Sequence, residues 1–380
     1  MVLLKKGKSI LTFILVVVLS SCGGSDDPSP VDDDSKDREA ILVHWADNII
    51  KPSYANFNSR LEVMGSKGDD FTNSPTNASL LEFRSAWLSA YTEWQKVEMF
   101  EFGPADRYTL RNFFNIYPAD VSGITANIND PAANLEVPAS YARQGFPALD
   151  YLINGTGSND ASILAYYTTD ADAAKRLAYV DKVVSRMETL LSSVVTEWNG
   201  AYRDTFVAST GLDIGSSMGA VVNAYVLYYE RYIRSGKIGI PAGIIGTMAG
   251  TPYPEKVEAY YKRDISKSLV KTAHQAVIDF FNGKSINGGT EGPSLKSYLD
   301  GLGAKDASSG TLLSTIINSQ FSTINNKVEE LSADFYNQIQ TNNQAMVDVY
   351  TNMQTEVRYL KVDMTSAMSI TITYTDNDGD

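Results

Sequence analysis

One cysteine and two histidines are all the thiol and imidazole groups that the 380 residues offer a metal. Cys22 has no partner in the chain, which excludes an internal disulfide framework and any cluster of thiolates. His44 and His274 alone argue against a multi-histidine zinc or haem site. Basic residues are scarce too, 32 against 45 acidic ones, for a formal charge of -13. So acidic a chain repels a phosphate backbone and an anionic lipid surface, so neither nucleic-acid binding nor lying flat on lipid is expected. No P-loop, dinucleotide fingerprint or G-x-S-x-G elbow occurs, which removes the commonest nucleotide and serine-hydrolase readings.

What is present begins with Lys5, Lys6 and Lys8, an apolar run over residues 10–19, and Ser20-Ser21-Cys22. A basic start, an apolar stretch too short for a comfortable membrane span, and small residues before a cysteine form a secretory pattern. Leu19-Ser20-Ser21-Cys22 resembles the bacterial lipobox, which implies cleavage after residue 21 and lipidation of Cys22. Membrane attachment through Cys22, as an outer-membrane lipoprotein, is therefore expected. Residues 23–36 are Gly, Ser, Asp and Pro with almost nothing apolar, the composition of a tether. Ser25-Asp26-Asp27 resembles the acidic export tag of surface lipoproteins in the Bacteroidetes, although a generic acidic linker reads the same way; the periplasmic and outer faces both stay open. Removing residues 1–21 takes away three lysines and no acid, leaving -16.

Beyond position 40 apolar residues recur at steps of three and four. Val183, Val184, Met187, Leu190, Leu191, Val194, Val195 and Trp198 form one such stripe, and Leu313, Ile317, Phe321, Ile324, Val328, Leu331, Phe335 and Ile339 another. Each predicts a long amphipathic helix, and similar patterns cover 38–64, 77–101, 216–234, 254–282 and 340–363. Residues 65–75 and 283–293 read as loops, 236–254 as the least regular stretch, and Ile370, Ile372 and Tyr374 alternate as a short strand would. The expectation is an all-α protein of two helical bundles. Its divisions are a signal segment at 1–21, a tether at 22–37, domains at 38–205 and 206–368, and an extended acidic tail at 369–380. Within that tail, residues 376–380 resemble the opening of a calcium loop but lack its later ligands.

Several segments, taken in order, resemble the imelysin-like family. They are Trp87 through Trp94 to Phe102-Gly103-Pro104, then Tyr117-Pro118, then Gly145-Phe146-Pro147-Ala148-Leu149-Asp150, then Arg234-Ser235-Gly236-Lys237 to Pro241, then residues 294–299 and 360–364. The resemblance covers nearly all of the chain after the tether. It implies two helical bundles with a site between them, peptidase relatives such as the insulin-cleaving membrane protease, and an association with iron-regulated systems. Residues 145–150 stand where the family has G-x-H-x-x-E. Pro147 replaces its histidine and has no ligating atom, and Asp150 replaces its glutamate with a shorter carboxylate. A lone carboxylate does not make a tight zinc site, which argues against zinc-dependent proteolysis.

Asp150 and Glu98 are the candidate ligands for a divalent or iron cation held through oxygens. Arg143 and Gln144, beside Pro147, are candidates to bind an anionic or polar ligand. A solvated acidic helix face accounts for Glu93, Glu98, Glu101 and Asp106 equally well, and bundle packing accounts for Tyr225, Tyr228, Tyr229 and Tyr232. The functional expectation is an envelope protein binding iron, haem or a related small ligand in the cleft. A metallopeptidase with a non-standard metal site and a structural or adhesion lipoprotein are the alternatives. The oligomeric state is left open.

Overall fold

The computed structural model describes residues 33–246, 249–286 and 288–375. Cys22, the signal segment, the acidic residues after it and the calcium-loop-like residues 376–380 lie outside them. The described chain is all-α, and its only strand-like features are isolated bridges between Lys284 and Glu291 and between Lys305 and Leu312. The Ile370–Tyr374 alternation therefore forms no strand. No described helix is long and apolar enough to cross a membrane.

Helix α1 (Asp33–His44) starts inside the stretch read as a tether. Arg38 anchors it, donating to the Thr210 carbonyl at 2.6 Å and reaching the Tyr298 hydroxyl at 3.3 Å. After a π-helical stretch, Trp45–Ile50, helix α2 (Lys51–Asn73) continues straight through the predicted 65–75 loop. Gly65 and Gly68 are tolerated there because they are packing positions. A Cβ on Gly65 would overlap Glu188, and one on Gly68 would press on Phe83. Helix α3 (Asn77–Val97) packs against α2 and opens on a capping box in which Thr76 and Ser79 satisfy each other's backbone N–H groups. The short α4 (Gly145–Asp150) and the long α5 (Ala173–Asn199) belong to the same group, with shorter helices around them. The α5 stripe read from the sequence is buried, apart from the half-buried Val195.

The second group comprises α6 (Ser217–Leu227), α7 (Ser266–Phe281), α8 (Leu313–Glu329) and α9 (Phe335–Arg358). All eight apolar residues of the 313–339 stripe are buried, yet the helix breaks between α8 and α9. Asp334 caps the new start by accepting from the Asn337 N–H at 3.0 Å. The predicted helix over 254–282 is likewise shorter. Residues 254–265 hold only two short 3-10 turns in an otherwise irregular path, and the α-helix is confined to Ser266–Phe281, for a reason that lies in the site. Apolar contact is continuous from Ile41 to Ile370, so both groups share one core.

Within that core stands an anomaly. Glu356 of α9 is fully buried and neither carboxylate oxygen has a hydrogen-bond partner. Loss of hydration holds its pKa well above the ordinary 4.5, with the hydroxyls of Tyr225 and Tyr229 as the titratable groups that feel its charge. The folded pKa exceeds the unfolded one, so this contribution is complete below about pH 4.5 and is lost as pH rises toward the folded value. Glu356→Gln is expected to be more stable than the parent at pH 8, by about 1.4 kcal/mol for each pH unit of the interval crossed. Urea unfolding at pH 5 and pH 8 checks this, and parallel changes in the two proteins would contradict it.

Candidate functional site

Gly145 opens α4 with φ at 76°, and a Cβ there would lie 2.3 Å from the Phe114 carbonyl oxygen, so only glycine fits. Pro147 falls in the first turn, where a missing N–H costs nothing. Phe146 stacks on Tyr91 with centroids 4.5 Å apart, fixing α4 against α3. Asp150 ends the helix and is 1% exposed. Its carboxylate accepts from the Tyr261 N–H at 2.8 Å, the Lys262 N–H at 3.0 Å and the Asn154 amide at 3.0 Å. Burial pushes its pKa up to about 7 although all three hydrogen bonds pull the other way. Asp150 is thus a clamp on residues 254–265. Backbone N–H groups that would bond four residues back in a helix go to Asp150 instead, which explains the irregular segment.

Glu98 begins a tight turn, Glu98–Phe100, directly after α3. It points into a sealed polar cluster whose second carboxylate is Glu258, from that same irregular segment. The Lys237 ammonium lies 2.5 Å from Glu258 Oε2, 2.7 Å from Gln95 Oε1 and 4.0 Å from Glu98 Oε2. The Asn115 amide donates to Glu258 Oε1 at 2.9 Å and to Glu98 Oε1 at 3.2 Å. The Tyr91 hydroxyl lies 2.7 Å from Asn115 Oδ1 and 3.1 Å from Glu258 Oε1, and the Tyr228 hydroxyl reaches Glu98 Oε2 at 3.3 Å. Burial raises the Glu98 pKa while Lys237 opposes it. Arg111 donates to the Glu98 carbonyl at 2.7 Å and lies over the Tyr232 ring, 4.0 Å from its centroid.

The backbone explains how Lys237 arrives. Residues Tyr228–Gly239 are π-helical. Nine residues of α-helix make two and a half turns and end on the opposite face. Nine residues at roughly 4.4 per turn make about two and return to the same face. The wider winding places Tyr228 and Lys237 on the one side that looks at Glu98.

The remaining candidates serve elsewhere. Arg143 pairs with Asp120 at 2.9 Å, and Gln144 donates to the Leu135 and Ser140 carbonyls at 2.6 and 3.2 Å, so both side chains brace residues 120–144. Glu93 pairs with Lys96, and Glu101 accepts the Arg111 N–H, with burial raising its pKa to about 7. Neither imidazole approaches the motif in its bonding. His44 Nε2 lies 2.7 Å from the Gly283 carbonyl, and His274 is bonded to Asn325 and Tyr229. Among the described residues no three His, Cys, Asp or Glu side chains stand together to hold a metal ion. The motif does not fit zinc: Pro147 has no donor atom, Asp150 already accepts three hydrogen bonds, and Lys237 occupies the space between the two glutamates where a cation would sit.

An open cleft lies beside this sealed cluster, across the next two residues of the same turn. Met99 and Phe100 face it together with Ile49, Phe280 and Ile286, in a volume of about 590 Å³ between the two helical groups. Sequence reasoning expected a cleft between the groups but named none of these lining residues, and it missed Lys237, Glu258, Gln95, Asn115 and Tyr91 as one cluster. The available signal was weak: Lys237 stands close to Ile233, Ile238 and Ile240, but Glu230, Arg231 and Arg234 share the same stretch.

Two helical groups enclosing a buried inter-group ion cluster define an all-α protein of the imelysin-like fold. The imelysin family model matches residues 50–363, and the chain belongs to that family. It is similar to iron-regulated protein A of Synechococcus elongatus, 22% identical over 227 residues, which is 59% of each chain. The chain thus spans less than two thirds of that curated relative. Among solved structures it resembles an imelysin-like protein of Psychrobacter arcticum, with TM-score 0.69, 17% identity, and coverage of 90% of this chain and 99% of that one. It also resembles a candidate iron-regulated protein A precursor of Parabacteroides distasonis, with TM-score 0.68, 16% identity and coverage of 90% and 97%. At such identities the structures speak for the fold.

Proposed function

We propose that this protein is a Cys22-anchored lipoprotein of the outer membrane that binds a small ligand in the cleft between domains 38–205 and 206–368. It serves iron or haem uptake and does not act as a peptidase. The observation that carries this reading is the contrast between two neighbouring spaces. The motif region is filled by the protein's own side chains, with Lys237 standing in for a cation, whereas the adjoining cleft is open and has a preformed apolar floor. The link to iron rests on the names of the relatives. Free iron ions suit the cleft poorly, because its two acids, Asp279 and Glu329, are each already paired with a lysine, so an iron-bearing molecule fits better than the ion.

Thermal unfolding against ferric and calcium salts, haem and a mixed peptide library, each with and without zinc, tests this. A ligand held only by the folded state at a hundred times its Kd adds about 2.7 kcal/mol. Stabilisation by haem with no peptide cleavage is the expected outcome. Zinc-dependent cleavage abolished by Asp150→Ala would establish the peptidase reading instead. Loss of fatty-acid labelling in Cys22→Ala checks the anchor.

A further inference from the structure

The cleft's lining has hydrogen-bond donors and a shape that narrow its ligand. Its floor is rigid. Ile49, Met99, Phe100 and Phe280 are at most 3% exposed, and Phe280 packs on Phe100 and Trp45 with ring centroids 5.6 and 4.9 Å apart. Its rim carries three ammonium groups, each paired with a carboxylate at the surface: Lys96 with Glu93, Lys271 with Glu329 and Lys284 with Asp279. Each ammonium carries three N–H donors, more than one carboxylate partner uses, so the rim keeps donors for a further acceptor. The lysines stay within reach of solvent, with side chains 39%, 45% and 47% exposed, so an incoming anion meets them without displacing buried structure.

A neutral donor joins them. Asn325 lines the cleft, and its carbonyl oxygen is 2.9 Å from Nδ1 of His274. His274 is fully buried, and the loss of hydration lowers its pKa to about 4, so the ring is neutral at physiological pH. The Tyr229 hydroxyl, 3.4 Å from Nε2, supplies a proton there and leaves the ring N–H on Nδ1, donating to Asn325. With its oxygen committed, Asn325 has its NH2 group to offer a ligand.

We propose that the cleft binds an amphipathic carboxylate, whose apolar body lies on the Ile49–Met99–Phe100–Phe280 floor and whose carboxylate meets the rim lysines and the Asn325 amide. This rests on reading the cleft as a ligand site. Two molecular shapes share the chemistry, a linear acyl chain with one carboxylate and a flat macrocycle with two.

The test titrates the full mature chain with three fluorescent probes: cis-parinaric acid as the linear carboxylate, metal-free protoporphyrin IX as the flat dicarboxylate, and N-phenyl-1-naphthylamine as a neutral apolar control. At least one carboxylate is expected to bind about tenfold or more tightly than the neutral probe, and the stronger of the two identifies the shape. Lys96→Gln with Lys284→Gln is expected to weaken that carboxylate about tenfold and leave the neutral probe unchanged. Both side chains are exposed, so an unchanged melting temperature verifies the fold. Ala276→Trp, which fills the cleft, is expected to abolish binding of every probe. Equal binding of neutral and charged probes, lost in Ala276→Trp, would overturn the carboxylate assignment and leave the cleft as a ligand site. Binding of no probe at concentrations up to about 100 μM, or binding unaffected by Ala276→Trp, would overturn both.

Discussion

Lys237→Met is expected to destabilise the folded protein by about 3–5 kcal/mol, because it strands Glu258 and Glu98 in a space closed to solvent. Lys237 comes from the second helical group and Gln95, Glu98 and Asn115 from the first, so the ammonium sits at the seam between them. Methionine matches the length of the lysine stem and keeps its packing, which isolates the charge as the cause. Chemical denaturation at pH 7 measures the loss. Adding Glu98→Gln and Glu258→Gln to the same chain is expected to recover most of it, since replacing a whole buried ion network costs far less than breaking one. A single variant as stable as the parent would show that the cluster does not join the groups.

Asp150→Ala carries the second large effect. It removes the acceptor for the Tyr261 and Lys262 N–H groups and the Asn154 amide at a position that is 1% exposed. Each of the three stranded donors costs about 1–3 kcal/mol, and all three are only partly buried, which holds each near the low end, so a loss of about 3–5 kcal/mol is expected. The local readout is sharper than the global one. Hydrogen exchange over residues 254–265 should accelerate sharply while α5 stays protected, because Asp150 is what holds that segment. Unchanged exchange at Tyr261 and Lys262 would count against the clamp.

The long helices were legible because burial on one side of a helix imposes its own period. Met187, Leu191 and Val194, like Ile317, Phe321 and Ile324, are buried as their spacing requires. Breaks set by side-chain capture were not legible. Asp334 starts a new helix within an unbroken stripe, and Asp150 pulls residues 261 and 262 out of a helix from 111 positions away. No local pattern encodes a partner at that separation. Gly65 and Gly68 misled in the opposite direction, since glycine chosen for close packing looks the same as glycine chosen for a turn. At the candidate site, family position drew attention to Glu98 and Asp150, and the structure buries both in separate hydrogen-bond networks. Lys237 was hidden because its direction depends on π-winding, which moves it half a turn from where an α-helical wheel draws it.

That winding has a consequence for the protein in its surroundings. A bound ion can be stripped away, but the ammonium of Lys237 is covalently part of the chain and travels with it. The seam it neutralises therefore closes as soon as the polypeptide folds, whether the medium is rich in metals or scavenged clean by chelators.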